Sequence, residues 1–110
     1  MTNLSEEYVG QRINGDTLVY RVRYGRRYVL PLRLDLDNHS STGFEWGYGG
    51  SGPAQLALAI LADALRDDER ALKLHQEFKW AVTARLTRDE WRLSRDEVLA
   101  TVKEIEREEA

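Results

Sequence analysis

The stretch AQLALAILADAL, residues 54–65, decides how the rest of the chain folds. It is apolar on nearly every side, and a helix of that kind is buried rather than amphipathic. It is also too short to span a membrane. Pro53 suits the first helical position, because its missing N–H would have no partner there in any case. We therefore expect a helix that begins at Pro53 and lies across the apolar face of a sheet.

The first third of the chain predicts antiparallel strands. Asn14 and Gly15 form a strong hairpin signal, because both residues tolerate the positive φ angles of a type I′ turn. Residues 8–13 precede this turn and residues 17–24 follow it. The second segment alternates with the period of two that is typical of a half-buried strand.

A third strand is predicted over residues 28–36, after a second turn at Gly25. Its leucines alternate with other side chains, so we expect one leucine-lined face to meet the buried helix. Pro31 has no N–H to donate to a ladder, which places this strand at an edge of the sheet. The predicted arrangement is a three-stranded meander.

The last third of the chain is predicted to be largely helical. Asp67 or Asp68 can cap a helix over residues 69–86. Ser94 and Glu97 have the spacing of a capping box, and apolar residues follow them at helical spacing. We therefore expect two helices after the buried one.

A short strand at residues 90–93 would bring the sheet to four strands. The length of 110 residues suits one compact domain. The sequence thus predicts a single α+β domain over residues 1–110. It consists of a small antiparallel sheet of three or four strands packed on a buried central helix, plus two further helices.

Composition excludes several classes of protein. The chain has no cysteine, which rules out disulfides and thiolate metal sites and suits a reducing cytoplasm. It has no run of 18 apolar residues and no apolar leader, so we expect a cytoplasmic protein that does not enter a membrane. A net charge of -3 argues against nucleic acid as a partner. That total combines six arginines and one acid over residues 12–33 with an acidic tail over residues 104–109.

Residues 37–53, DNHSSTGFEWGYGGSGP, form a long loop that contains five of the eight glycines. Unpaired N–H groups and the dipole at a helix start attract anions, and aromatic rings can stack on a base. We therefore predict a non-enzymatic binding protein that holds an anionic or nucleotide-like, phosphorylated small molecule at this loop and the following helix start. The predicted contacts are Trp46, Tyr48, Gly49, Gly50, Ser51 and Gly52, with Arg12 and Arg23 as helpers.

Two other interpretations of this loop stay open. Phe44 and Trp46 can be core plugs, with the glycines letting the loop fold over the helix, or the loop can bind a protein partner. Gly47, Gly49 and Gly52 match the pattern G-x-G-x-x-G. Hairpins precede that pattern and there is no room for a βαβ unit, so a dinucleotide-binding fold is excluded.

The sequence predicts no catalytic residues, no metal site and no cofactor. Asp37, His39 and Ser40 are typical of turn chemistry rather than of a catalytic triad. His75 lies far from His39 along the chain, so the two histidines lack metal-ligand spacing. His75 is expected at the surface or boundary of its helix.

Residues 43–63, GFEWGYGGSGPAQLALAILAD, resemble the signature of a family of small proteins of unknown function from bacteria, archaea and their phages. The other related features are Tyr8, Gly10 and Arg12, the pair Phe78-Lys79, and Trp91, Leu93 and Ser94. The resemblance implies a shared architecture and no activity. It favours a phage origin, where the protein would sequester a host signalling nucleotide.

Other classes of function remain as alternatives. An interaction module can inhibit or scaffold a host protein, such as a defence protein, through the arginine-rich face or the acidic tail. Nucleic-acid binding through residues 12–33 is the third class. Homo-oligomerisation, which would complete a pocket across two chains, is also left open.

Overall fold

The structure, a computed structural model, describes residues 6–109, which form a four-stranded antiparallel sheet and three α-helices. The elements are β1 (Glu7–Ile13), β2 (Asp16–Arg23), β3 (Arg26–Val29), α1 (Ser51–Leu65), α2 (Asp68–Ala81), a 3-10 helix (Thr83–Arg85), β4 (Glu90–Ser94) and α3 (Arg95–Glu109). The strand order is β3-β2-β1-β4. The predicted α+β fold is confirmed, including its fourth strand. In this part of the chain, no helix combines the length and the apolar character needed to cross a membrane.

Both predicted turns are tight hairpins. Asn14 and Gly15 take φ angles of 54° and 86°, and Tyr24 and Gly25 take 52° and 77°. Positive φ at both central residues is what a type I′ turn requires, and its twist matches that of the flanking strands. The first turn pairs the end of β1 with the start of β2, which fixes the register of the sheet.

The α1 helix is the centre of the molecule. Its residues are buried without interruption over 52–62, as its largely apolar sequence predicts. It begins at Ser51, two positions before Pro53. Tyr8, Val19 and Leu93 from the inner face of the sheet belong to the same buried cluster.

The third strand is shorter than its alternating leucines predict. It ends at Val29, and Leu30 makes the last bond toward β2, with its N–H 3.0 Å from the carbonyl of Val19. Pro31 then has no donor, and Arg33 adopts a left-handed φ of 59° at the start of a turn. The leucines of residues 30–36 therefore reach the core from an irregular segment: Leu30 is buried, Leu32 and Leu36 are partly buried, and Leu34 is exposed.

The helix after α1 is capped as predicted but ends early. The Asp67 carboxylate accepts a bond of 3.1 Å from the amide of the third helical residue. The α2 helix stops at Ala81 rather than at the predicted Leu86. Two residues later Thr83 is buried, and its hydroxyl donates to the carbonyl of Pro53 at 2.9 Å. That bond ties the end of α2 to the start of α1.

The predicted capping box in front of the last helix is confirmed. The amide of Glu97 donates to the Ser94 hydroxyl at 3.0 Å, and the amide of Ser94 donates to the Glu97 carboxylate at 3.1 Å. Both bonds satisfy amides that a helix start would otherwise leave unpaired. The box therefore fixes the point at which β4 becomes α3.

Arginines from the basic first third pair with acids that come much later in the chain. The pairs are Arg12–Asp89, Arg21–Asp63 and Arg33–Asp68, with N–O distances of 2.6, 2.5 and 2.9 Å. The Tyr8 hydroxyl also donates to Asp63, and burial together with that carboxylate raises the pKa of the Tyr8 phenol. Arg21 on β2 thus pairs with an acid of α1.

Replacing Phe78 with alanine will test the packing of α2 on α1. The Phe78 side chain is fully buried, and removing such a ring leaves a cavity that costs about 3–5 kcal/mol of unfolding free energy. Urea titration followed by circular dichroism measures the loss. Trp80→Ala, on the exposed side of the same helix, is the matched control and should cost much less. Equal losses in the two variants would contradict this packing.

Candidate functional site

Two hydrogen bonds anchor Trp46 and Gly47, in the loop before α1, to the interior. The amide of Gly47 donates to the carbonyl of Thr83 at 2.9 Å. The indole Nε1–H of Trp46 donates to the carbonyl of Arg88 at 2.9 Å. Gly47 has a φ of 90°, and a Cβ there would lie 2.8 Å from the carbonyl oxygen of Leu86. Only glycine therefore fits this position without strain.

Trp46 is part of the core. Only 2% of its surface is exposed, and its ring packs edge-on against Trp91 at 5.5 Å between centroids. The guanidinium of Arg12 lies over the indole, 4.7 Å from its centroid. A base cannot stack on a ring covered in this way, so the structure places Trp46 as the core plug that the sequence left open.

Arg12 is held between two carboxylates. It lies 2.6 Å from Glu45 and 2.6 Å from Asp89. These bonds raise the pKa of the guanidinium, so Arg12 stays charged while its charge is balanced within the protein. Arg12 lies next to the loop, and its Nη1 and Nη2 atoms already donate to acidic partners.

Arg23 lies away from the loop, at the far end of β2. It pairs with Glu6 at 2.6 Å and lines a separate cavity of about 250 Å³ with Arg21, Arg33 and Arg66. Each of these arginines also has an acidic partner. The structure therefore does not bring Arg12 and Arg23 together at one site.

Tyr48 is the exposed aromatic of the loop, with 52% of its surface accessible. Its ring lies against Gly50, where a Cβ would come within 2.3 Å of it. Trp80 covers Gly49 in the same way, at 2.2 Å. Both glycines are thus needed so that aromatic rings can lie flat on the backbone.

Consecutive amides at the start of α1 have no backbone acceptor in the part of the chain that the structure describes. The N–H groups of residues 49–52 donate to no backbone carbonyl within residues 6–109, and no side chain caps the helix. The amide of Ala54 donates to Gly50 at 3.2 Å and is not free. Ser51 and Gly52 line a cleft with a volume of about 640 Å³.

The rest of that cleft is polar. Its hydroxyl groups come from Thr17, Ser40, Thr42 and Ser51, and Tyr48 forms part of the wall. Asp16 and Glu45 add two carboxylates. A Cβ on Gly52 would lie 2.5 Å from the Cβ of Glu45, so glycine lets the loop and the helix start meet at this point.

The buried side-chain amide of Gln55 in α1 holds the first part of the loop. Gln55 is fully buried, and its Oε1 accepts bonds from the amides of His39 and Ser40 at 2.7 and 3.1 Å. Its Nε2 donates to the carbonyls of Leu32 and Asp37 at 2.6 and 3.1 Å. A polar residue within an otherwise apolar helix was the sequence signal for this contact.

The loop held by Gln55 brings the two histidines together. The Nε2 atoms of His39 and His75 are 2.9 Å apart, although the residues are 36 positions apart in the sequence. His75 is 5% exposed, so the expectation of a surface or boundary position was wrong. Spacing along the chain could not reveal this pair, because a loop and a helix contribute one histidine each.

Comparison with known proteins identifies a family. A family model described as a family of unknown function (DUF6166) matches residues 8–104. The chain belongs to this family. No curated protein and no solved structure matches the chain. The matched residues include all the predicted site residues and both histidines, and the prokaryotic and phage origin stays a prediction.

Substituting Gln55 with leucine will test its role in holding the loop. Leucine keeps the volume but removes four hydrogen bonds, and each buried group left unpaired costs about 1–3 kcal/mol. We expect a clear loss of unfolding free energy and faster hydrogen exchange at the amides of His39 and Ser40. Gln11→Leu, on the outer face of β1, is the control. Unchanged exchange at those amides would contradict the role given to Gln55.

Proposed function

We propose that this protein is a non-enzymatic binding protein that holds an anionic, phosphorylated small molecule at the start of α1. The observation that supports this most directly is the row of N–H groups at residues 49–52 without backbone acceptors among the described residues. Two of these residues, Ser51 and Gly52, line the cleft. Amides in this position bind phosphate oxygens without a charged side chain, because the helix dipole adds to their partial positive charge.

The size of the cleft fits a nucleotide. Its volume of about 640 Å³ lies within the range of about 300–1,000 Å³ that is typical of small-molecule sites. Tyr48 supplies an exposed ring at the wall, and base stacking on an aromatic contributes about 1–3 kcal/mol. In this proposal Tyr48 takes the stacking role that the sequence gave to Trp46 and Tyr48 together.

The charges at the cleft restrict the ligand. Asp16 and Glu45 would repel a phosphate chain that extends across the cleft, and Glu45 is balanced by Arg12. We therefore propose a ligand with a single phosphate group at the amides. Its donor groups, such as ribose hydroxyls or a base amine, would point toward the two carboxylates.

Sequestration of a host signalling nucleotide in a phage infection is the biological role that we attach to this proposal. It rests on the family resemblance rather than on a contact in the structure. The family itself has no described activity. The chemical proposal is therefore tested first, with purified protein.

An interaction module is the second candidate function. Exposed apolar side chains are concentrated on β2, β3 and the turn between them: Leu18, Tyr24, Tyr28 and Val29. The edge strand β3 can pair with a strand of a partner. The arginine side of β2 supports this candidate less well, since Arg21 and Arg23 are paired with acids.

Thermal denaturation with nucleoside monophosphates, cyclic nucleotides and inorganic phosphate will test the binding proposal. A ligand at 100 times its Kd stabilises the fold by about 2.7 kcal/mol, which raises the Tm by several degrees in a domain of this size. Ser51→Pro removes one amide at a position where proline is tolerated, so it should abolish the shift. Ser51→Ala keeps that amide and should retain most of the shift.

Two results separate the candidate functions. No Tm shift with any of these compounds, or an equal shift in Ser51→Pro and the unchanged protein, would contradict binding at the helix start. A stable complex with a host protein that is lost on Val29→Lys would favour the interaction module. Affinity for nucleic acid that falls steeply between low and moderate salt would indicate the third class.

A further inference from the structure

Asp37, His39 and His75 place three metal-ligating atoms at one point, apart from the amides discussed above. The Nε2 atoms of the histidines are 2.9 Å apart, and Nε2 of His39 is 3.4 Å from Oδ2 of Asp37. The three ligand atoms all lie within 4.8 Å of one another. One divalent ion can bind all three atoms, since bonds to imidazole nitrogen and carboxylate oxygen are about 2.0–2.2 Å long.

The ring of His75 is oriented by its own helix. Its Nδ1 lies 2.7 Å from the carbonyl oxygen of Leu72, and a carbonyl only accepts, so Nδ1 carries the proton. The lone pair of Nε2 therefore points toward His39. A ligating histidine in proteins commonly has such an outer partner, which fixes its tautomer.

The other two ligands are positioned by the buried side chain of Gln55. Its Nε2 donates to the backbone carbonyl of Asp37, and its Oε1 accepts from the backbone amide of His39. The loop is thus fixed over α2 by bonds that do not involve the ligand side chains. A site organised in this way loses little conformational freedom when a metal binds.

We propose that Asp37, His39 and His75 bind one divalent transition metal ion of the zinc class. Two imidazoles and one carboxylate suit zinc and its neighbours, whereas magnesium and calcium prefer ligand sets made of oxygen. Three protein ligands leave a coordination position for water or for a small ligand. Solvent reaches this position, because the side chains of Asp37 and His39 are 48% and 22% exposed.

The protonation state of His75 agrees with metal binding. Burial lowers the pKa of its imidazole, which keeps the ring neutral, the form that binds metal. The carboxylate of Asp37 offsets part of the ion's charge. The competing arrangement is a plain hydrogen bond, in which Nε2–H of His39 donates to Nε2 of His75.

The composition makes the experiment unambiguous. The chain has two histidines and no cysteine, so protein without a purification tag offers no other imidazole or thiolate. Equilibrium dialysis against Zn²⁺ with elemental analysis should give one ion per chain. Co²⁺ should give a visible absorption spectrum, and Zn²⁺ should raise the Tm.

Three variants locate the site. His39→Ala should weaken Zn²⁺ binding by more than about tenfold, the loss seen even when an outer partner of a ligand is removed. It should still fold, because the bond to Gln55 uses its backbone amide. Asp37→Asn should weaken binding and leave the histidines in place. Asp35→Asn, which changes a carboxylate outside the cluster, is the matched control and should bind as the unchanged protein does.

Two outcomes would overturn the proposal. One is less than one bound ion per chain at Zn²⁺ concentrations that saturate ordinary zinc proteins, which would leave the hydrogen bond between the histidines. The other is undiminished binding in His39→Ala, shown by circular dichroism to be folded. Neither outcome affects the anion proposal, because Ser51 and Gly52 are not ligands of this site.

Discussion

The side chain of Gln55 is the constraint on which most of the molecule depends. Gln55 is a fully buried polar residue in the first half of the largely apolar helix α1, so its amide has to find partners within the protein. It does so with two acceptor bonds and two donor bonds to the backbone of residues 32–40. A segment without regular secondary structure is thereby tied to α1 by four hydrogen bonds.

Much of the fold was predictable because local chemistry and packing agree. Three signals act through neighbours in the sequence: positive φ at Asn14 and Gly15, the capping box at Ser94 and Glu97, and the largely apolar sequence of α1. The predicted strand over residues 28–36 was wrong beyond Val29 for a different reason. Alternating leucines can be buried without a strand. The segment held by Gln55 and turned at Arg33 places Leu30, Leu32 and Leu36 in or against the core outside any strand, and leaves Leu34 exposed.

The candidate site was predictable only in part. Glycines next to aromatic rings indicated close packing between a backbone and a ring, and this occurs at Gly49 and Gly50. The sequence could not tell which aromatic would point inward, because Trp46 and Tyr48 both flank Gly47. That choice depends on the backbone carbonyl of Arg88. This carbonyl lies 42 positions after Trp46 in the chain and accepts a hydrogen bond from its indole N–H. The proximity of the histidines likewise depends on contacts between distant segments.

The arginine pairs have a consequence for the order in which the chain becomes electrically balanced. Arg12, Arg21 and Arg33 pair with Asp89, Asp63 and Asp68. None of these three acids has been synthesised when the first two hairpins emerge from a ribosome. A nascent chain therefore carries these three arginines without those partners until α1 and the elements after it arrive. In the folded protein each of these arginines lies against its carboxylate. Charges that are far apart along the sequence are thereby close together in space.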